Sequence, residues 1–364
     1  MHTVPKHFYG LQILRFAAAM LVIIMHTSEA YLIRFLGTDG SEFWKGGSAG
    51  VDLFFVISGF VMALTTEGTA AAGRAPSRWQ QAWTFFKRRC ARIIPLYWFY
   101  LILKIVLVLA LPSLALRTTF ETEHVLTSFL FVPAMSPWGL IQPILPVGWT
   151  LNYEMFFYLV FAVSIGLGVA RLWFSVLVFA ALFAAGQLFP GVTALKFYGQ
   201  PIIFEFALGI LAAKLYLKCP QPQLGSGALL FLLGVTLTIL VDWAPEADRL
   251  STWGIGCSFM VLGAVWMESW IATFRGAALL SFLGDSSYSM YLSHAFTVPG
   301  AVVALKAMGM TGPWFVSTAV CTVVIIFSCF SYLGIERPLI RFFKGRRLAR
   351  GAAFRDTASK AGHT

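Results

Sequence analysis

Long apolar segments alternate with short polar ones along most of this chain of 364 residues. Each apolar segment has close to the 20 or so residues that a helix needs to cross a bilayer. The segment over 172–189 is short and contains a glycine. The pattern predicts an all-α, polytopic membrane protein of about ten spans, at 11–31, 47–66, 93–112, 149–169, 172–189, 199–217, 226–242, 252–270, 286–306 and 314–336.

A further apolar piece over 125–135 is too short to cross a membrane. It lies in a long loop between Pro112 and Pro146, so we expect a re-entrant or interfacial element there. If it crosses instead, one chain terminus changes sides. The spans form one membrane-embedded domain over 1–340, and we expect residues 341–364 to be a basic, disordered cytoplasmic tail.

The distribution of lysine and arginine predicts the orientation. With the N-terminus in the cytoplasm, 19 of the 27 basic residues fall in cytoplasmic segments, six fall outside, and Arg15 and Lys104 lie within spans. Membrane proteins carry such an excess in their cytoplasmic loops. Both termini are therefore predicted to be cytoplasmic, and the net charge of +11 indicates topology rather than a nucleic-acid partner.

Composition removes other classes of protein. The chain is 58% hydrophobic and 12% charged, which does not fit a soluble domain of this size. The five cysteines show no paired spacing, which argues against disulfides and a zinc site. Any chemistry is therefore expected at polar residues within the spans, where ionisable groups are expensive and usually functional.

The first span carries Arg15 and His26. Eleven residues return almost to the same helix face, three turns and roughly 16 Å further on. An imidazole exchanges protons near neutral pH, so His26 is the first catalytic candidate. The shared face predicts a polar tunnel that joins the two side chains.

Two carboxylates begin other spans from the outer side. Asp52 begins the second span, and Glu154 lies about one turn inside the fourth. The helix dipole alone can stabilise a carboxylate there, so a structural role stays open for both. Since both are placed in the outer half with His26, either is a candidate to orient its ring.

The cytoplasmic edge of the third span carries Arg89 and Arg92, three residues apart on one face. Two guanidiniums can hold a phosphate bidentately, although a basic run at this edge also serves as an anchor. Later spans add His294 with Tyr291, and Glu336 at the cytoplasmic end of the last span. Packing for His294 and an arginine partner for Glu336 remain the simpler alternatives.

Six sequence elements occur in the order found in the membrane-bound acyltransferase family 3, which the chain resembles from residue 11 to about 340. Each element alone is weak, whereas six in order are specific. The length resembles most the exopolysaccharide-modifying members of this family, which also includes O-acetyltransferases of lipopolysaccharide and Nod factor. The elements are Leu14-Arg15-Phe16-Ala17-Ala18 with His26, Val51-Asp52-Leu53-Phe54-Phe55-Val56-Ile57-Ser58-Gly59-Phe60, Arg89-x-x-Arg92-Ile93-x-Pro95, Trp149-Thr150-Leu151-x-x-Glu154-x-x-Phe157-Tyr158, Tyr288-Ser289-x-Tyr291-Leu292-x-His294 and Glu336-x-Pro338.

The resemblance implies an O-acyltransferase that moves an acyl group, usually acetyl, from acetyl-CoA or another acyl-CoA to a sugar hydroxyl, without a metal. Arg15, Arg89 and Arg92 would hold the donor, and His26 would act as general base or transient acyl carrier. Expected partners are a cell-surface glycan, exopolysaccharide or lipid-linked oligosaccharide as acceptor, membrane lipids, and polysaccharide-biosynthesis proteins. The expected location is the bacterial inner membrane, as a multi-pass protein.

A proton-coupled secondary transporter or a glycan flippase subunit is the alternative. Such proteins also combine many spans with intramembrane His, Glu and Arg. The chain shows no internal repeat of the kind that many carriers have, and a carrier has no evident use for an arginine pair at a donor entrance. Release of free thiol from acetyl-CoA would distinguish the two classes.

Overall fold

The computed structural model describes residues 7–40, 44–67, 77–110, 121–219, 224–240 and 249–343. Within these ranges the chain is helical, and one isolated bridge between Met135 and Ile141 is the only extended pairing. The described α-helices are α1 (Tyr9–Tyr31), α2 (Ala49–Glu67), α3 (Arg78–Ala110), α4 (Thr122–Leu130), α5 (Trp149–Leu167), α6 (Arg171–Leu188), α7 (Thr193–Tyr198), α8 (Phe204–Lys218), α9 (Leu224–Leu240), α10 (Ile255–Trp266), α11 (Glu268–Ile271), α12 (Ala277–Asp285), α13 (Ser287–Ala307) and α14 (Pro313–Ser331).

A helix lies at each of the ten predicted spans, including the short segment over 172–189, which is α6. The described chain is an all-helical membrane protein with six helices long and apolar enough to cross a bilayer, while α9 and Leu250–Trp266 are shorter apolar helices. The count of ten spans and the cytoplasmic termini remain predictions. The six long helices are Tyr9–Leu36, Lys45–Thr66, Arg78–Ala110, Pro146–Leu167, Arg171–Leu188 and Pro313–Phe343.

Segments predicted on the same side of the membrane meet at the same end of the helix bundle. At the predicted cytoplasmic end, the Tyr9 and Gly10 amides donate to the Glu268 carboxylate at 2.6 and 2.9 Å. At the other end, the Tyr31 hydroxyl donates to the Thr311 carbonyl at 2.8 Å. The internal contacts therefore agree with the alternation of helix directions that the predicted topology requires.

The first helix, α1, lies centrally and packs against α2, α12, α13 and α14. Glycine lets α2 approach the α1 backbone, because a Cβ on Gly50 would lie 2.2 Å from the Ala18 carbonyl oxygen. A similar contact joins α2 to α8, where a Cβ on Gly59 would lie 2.1 Å from the Phe206 carbonyl oxygen. These close crossings fix the positions of the helices that carry most of the predicted site residues.

The helix of the third predicted span begins well before the apolar stretch. This helix, α3, begins at Arg78 rather than near residue 93, so Pro95 lies inside the helix. Ser77 and Gln80 form a capping box, in which the Gln80 amide donates to Ser77 Oγ at 3.2 Å and the Ser77 amide donates to Gln80 Oε1 at 2.9 Å. The amphipathic residues after this cap continue the helix beyond the apolar stretch.

Two predicted non-spanning segments are partly described. The apolar piece at 125–135 contains the end of α4, a nine-residue helix that stops at Phe131 with a left-handed φ of 58°. At 1.5 Å per residue, α4 is too short to cross a bilayer. The last helical stretch continues to Phe343, so residues 341–343 of the predicted tail are helical, and residues 344–364 lie outside the described residues.

The predicted topology can be tested with two cysteines. Cys219 is exposed after α8 on the predicted cytoplasmic side, and Gly191 lies in open space on the other side. In spheroplasts, a membrane-impermeant maleimide should label Gly191→Cys but not Cys219, and inverted vesicles should give the opposite result. The buried Cys257 is the internal control and should stay unlabelled in both preparations. Labelling of both sites from one side would contradict this topology.

Candidate active site

A cavity of about 420 Å³ lies among α1, α2, α3, α5 and α13. Its volume is in the range of small-molecule sites. The fold therefore gathers residues that are far apart in sequence around a space that a ligand can enter. Five of the predicted site residues line this cavity: Arg15, Arg89, Arg92, Glu154 and Tyr291.

The arginines of the cavity come from α1 and α3. Arg89 Nη2 donates to Thr65 Oγ1 at 3.3 Å, and the Arg89 guanidinium lies over the Tyr158 ring, 5.9 Å from its centroid. Neither ion pair found among the described residues involves Arg15, Arg89 or Arg92. Guanidiniums grouped in this way, without a carboxylate in contact, suit the binding of an anionic group such as a phosphate.

Glu154 belongs to the same cavity. Tyr158, one turn further along α5, donates its hydroxyl to Glu154 Oε1, and Ser58 Oγ donates to the same oxygen at 3.4 Å. The Tyr158 ring in turn lies beneath the Arg89 guanidinium. Its hydrogen bonds in the described structure thus tie Glu154 to the arginine side of the site rather than to a histidine.

The two histidines form a stacked pair near the other end of α1. The rings of His26 and His294 lie 5.2 Å apart with 22° between their planes. His26 Nδ1 lies 3.0 Å from Glu29 Oε2, and both side chains are about one-third exposed. His294 is buried, and neither of its ring nitrogens has a partner among the described residues. Glu29 was not among the predicted site residues, although its spacing of three residues from His26 indicates that the two side chains share one helix face.

The predicted polar tunnel from Arg15 to His26 is absent from the described cavity, which Arg15 lines and His26 does not. The close approach of α2 at Gly50 buries the α1 surface between them, including Ala18. The two regions are instead joined by contacts between aromatic rings. Phe54 and Tyr291 line the cavity with centroids 6.0 Å apart, and Tyr291 meets the His294 ring at 5.6 Å.

Asp52 is engaged by a residue far along the chain. Arg249 Nε and Nη2 donate to the two Asp52 carboxylate oxygens at 2.9 and 2.7 Å, and Asp52 is fully buried. Glu205 is also fully buried, close to this pair. The ring of His26 thus has Glu29 as its hydrogen-bonded carboxylate, and Asp52 has a different partner. Neither Arg249 nor Glu205 was selected from the sequence.

Glu336 stabilises the first turn of α13. Its Oε2 accepts from the Ser289 amide at 3.2 Å and from the Ser289 hydroxyl at 2.6 Å. The side chain is buried, and a π-helical turn over Tyr332–Glu336 brings it there. The described ion pairs include no arginine partner for Glu336, and its hydrogen bonds go to Ser289.

Across the described ranges, no group of three or more His, Cys, Asp or Glu side chains could hold a metal ion.

Comparison with known proteins adds a family assignment. A family model described as an acyltransferase domain matches residues 8–333. The exopolysaccharide production protein ExoZ of Rhizobium meliloti (strain 1021) is 37% identical over 316 residues, which are 85% of this chain and 94% of that protein. The acyltransferase MdmB of Streptomyces mycarofaciens is 24% identical over 385 residues and covers 92% of each chain. No solved structure matches the chain.

The Asp52–Arg249 pair leads to a prediction about stability. Arg249→Met leaves the buried Asp52 without its partner and should be destabilising, by less than the about 3–5 kcal/mol of a fully buried ion pair because the Arg249 side chain is about one-third exposed. Asp52→Asn/Arg249→Met removes both charges and should recover much of that loss. Thermal unfolding of the detergent-solubilised protein measures both effects.

The double variant also separates two roles for Asp52. If Asp52 is structural, Asp52→Asn/Arg249→Met should regain acyl transfer together with stability. A stable double variant without transfer would show instead that the Asp52 carboxylate takes part in the reaction.

Proposed function

Because the chain belongs to this acyltransferase family and is a membrane acyltransferase, we propose that it transfers acetyl from acetyl-CoA to a hydroxyl of a bacterial cell-surface or exopolysaccharide sugar. The observation that carries the proposal is the single cavity lined by Arg15, Arg89 and Arg92. The family assignment gives no support to the alternative of a carrier or flippase. We place the protein in the bacterial inner membrane, in keeping with its apolar helices.

The donor is proposed to enter from the cytoplasmic side. The phosphates of acetyl-CoA would meet Arg89 and Arg92, since guanidinium groups bind phosphate through paired hydrogen bonds. From there the cavity continues between α1 and α5 to Thr150 and Tyr291. The rise of α1 between Arg15 and His26, roughly 16 Å, is comparable to the length of a pantetheine arm. The thioester would thus approach the aromatic contacts beside the histidine pair.

The acceptor is proposed to come from the other side, where His26 is partly exposed. The relative ExoZ is named for exopolysaccharide production, which supports a sugar polymer or its lipid-linked precursor as acceptor. Polysaccharide-biosynthesis proteins would then supply that acceptor. Membrane lipids surround the exposed apolar side chains of the helices.

His26 is proposed to act as the general base. An ionised Glu29 can only accept a hydrogen bond, so it would hold the proton on Nδ1 of His26 and leave Nε2 free. Nε2 of His26 takes the proton of the sugar hydroxyl while the hydroxyl oxygen attacks the carbonyl carbon of the thioester. The carbon–sulfur bond then breaks, and His26 returns the proton to the leaving thiolate. The products are the O-acetyl sugar and coenzyme A, and Glu29 is a positioning residue.

The role of His26 gives the central prediction. His26→Ala should leave the protein in the membrane but lower acyl transfer by about 10²–10⁴-fold, the usual contribution of general-base catalysis. His26→Gln should be nearly as poor, because an amide forms hydrogen bonds but cannot take the proton. Glu29→Gln should show a smaller loss. Release of coenzyme A thiol in the presence of acceptor measures the rate.

The control for these variants is Glu123→Gln, which removes an exposed carboxylate on the same predicted side of the membrane and should have no effect. Near-normal transfer by His26→Gln would show that the ring is structural. The catalytic role would then pass to its stacked neighbour, His294.

The donor site gives a second prediction. Arg89→Ala and Arg92→Ala should each raise the KM for acetyl-CoA, because a charge-assisted hydrogen bond to phosphate is lost, worth on the order of 1.5–3 kcal/mol. That loss corresponds to about 10- to 100-fold in KM, with a smaller change in kcat. Steady-state kinetics with purified protein measure both constants.

Lys87→Ala is the matched control, since Lys87 lies on the same helix but does not line the cavity. Normal donor KM values in both arginine variants would mean that these residues only anchor α3 at the membrane surface.

A further inference from the structure

The cavity of about 420 Å³ follows α2 from its arginine-lined end to Phe54. At the arginine end, Thr65 lines the cavity with its Oγ1 3.3 Å from Arg89 Nη2, and Phe54 lines it eleven residues earlier on the same helix. Eleven residues of α-helix rise roughly 16 Å, which is comparable to the length of a pantetheine arm. A donor with its phosphates at Arg89 and Arg92 would therefore bring its acyl group to Phe54.

The part of the cavity around Phe54 has a mainly apolar lining, and we call it the acyl pocket. Its lining residues are Val51, Phe54, Phe55, Thr150, Leu151 and Tyr291. All of them except Phe54 are buried. Phe55 in turn stacks on Phe206, with 4.5 Å between the ring centroids. The acyl pocket therefore suits a hydrocarbon group better than a charged one.

Tyr291 is fixed on one side of the acyl pocket. Its hydroxyl donates to the Val147 carbonyl at 3.0 Å and lies 2.9 Å from Thr150 Oγ1, so it joins α13 to the start of α5. Its ring lies 6.0 Å from the Phe54 ring and 5.6 Å from the ring of the buried His294. A longer acyl chain would thus meet a hydrogen-bonded ring with another ring packed against it.

A carboxylate faces the same cavity one turn further along α5. Glu154 lines the cavity, and its Oε1 accepts hydrogen bonds from the Tyr158 hydroxyl and from Ser58 Oγ at 3.4 Å, as an ionised carboxylate does. An acyl group that ends in a carboxylate, such as succinyl, would bring a second negative charge close to Glu154. Like charges repel strongly away from bulk water, so the site disfavours such donors.

We propose that the acyl pocket restricts the donor to acetyl-CoA, with Phe54 and Tyr291 as the residues that set the length of the acyl chain. This selectivity rests on the proposed use of an acyl-CoA donor. In this assignment the acetyl methyl group lies beside the two rings, and each added methylene has to displace Phe54 or break the hydrogen bonds of Tyr291. Both residues contact the acyl group alone, and the bonds that form and break are those of the proposed transfer.

The test measures the affinity of the full chain, in nanodiscs of zwitterionic lipid, for acetyl-, propionyl-, butyryl- and succinyl-CoA. The wild-type protein should bind propionyl-CoA about 10- to 100-fold more weakly than acetyl-CoA, the factor expected for one methylene in a fitted pocket, and the two longer donors more weakly still. Phe54→Ala, and to a lesser extent Phe54→Leu, should bring the affinities for propionyl- and butyryl-CoA close to that for acetyl-CoA. Succinyl-CoA should gain less, because Glu154 remains in place.

Two controls accompany this comparison. Coenzyme A without an acyl group should bind to both Phe54 variants as to the wild type, which shows that the variants are folded and that their arginines still bind the phosphates. Phe8 lines the same cavity at the start of α1, away from the acyl pocket. Phe8→Ala should therefore keep the wild-type ratio between the four acyl-CoA affinities.

The possible failures are distinguishable. Equal affinity of the wild type for all four donors, or a wild-type preference that both Phe54 variants retain, would overturn the acyl pocket but leave the proposed transfer intact. A Phe54 variant that binds coenzyme A normally but none of the four thioesters would show that Phe54 supplies affinity rather than a length limit. Selective binding of acetyl-CoA without any acyl transfer would overturn the proposed reaction and not the pocket. A wild-type protein that binds no coenzyme A compound would overturn the proposed donor, and the acyl pocket with it.

Discussion

The site depends on the backbone contact between α1 and α2. With no side chain at Gly50, α2 lies against the carbonyl of Ala18 and covers the α1 surface between Arg15 and His26. That contact separates the cavity lined by Arg15 from the histidine pair that includes His26, although Arg15 and His26 lie on the same helix. A side chain at Gly50 would push α1 and α2 apart. The proposed division of labour between donor binding and proton transfer follows from this packing.

The charged side chains near this contact have three different kinds of surroundings. Asp52 is fully buried and is paired with Arg249, a bidentate partner whose side chain is about one-third exposed. Glu336 accepts two hydrogen bonds at the start of a helix. The cavity arginines have neither kind of compensation in the described ion pairs. Since isolated charges are costly away from water, the arginines mark the place where a charged ligand contributes most.

Local patterns predicted much of this arrangement. The spacing of three residues between Arg89 and Arg92 was enough to predict that both side chains lie on one face of a helix. The apolar pattern alone did not reveal where α3 begins, because the first part of this helix is amphipathic. The sequence Ser77-x-x-Gln80 would have indicated the start, since it forms a capping box. The partner of Asp52 could not be predicted from the sequence, because Arg249 is 197 residues away and only tertiary packing brings the two side chains together. The predicted tunnel between Arg15 and His26 differs from the described cavity for a related reason. The sequence shows which residues share a helix face but not which neighbouring helix covers that face.

The aromatic contacts between Phe54, Tyr291 and His294 have a consequence for the cell's energy supply. A transferase whose substrates arrive from opposite sides needs a passage for an acyl group, yet an open water-filled passage would conduct ions. Each elementary charge that crosses a membrane at 100 mV dissipates about 2.3 kcal/mol. Tyr291 is held in place by the Thr150 hydroxyl at 2.9 Å and the Val147 carbonyl at 3.0 Å, and its ring lines the cavity next to His294. The side chains that are proposed to meet the thioester would thus also hinder the passage of ions.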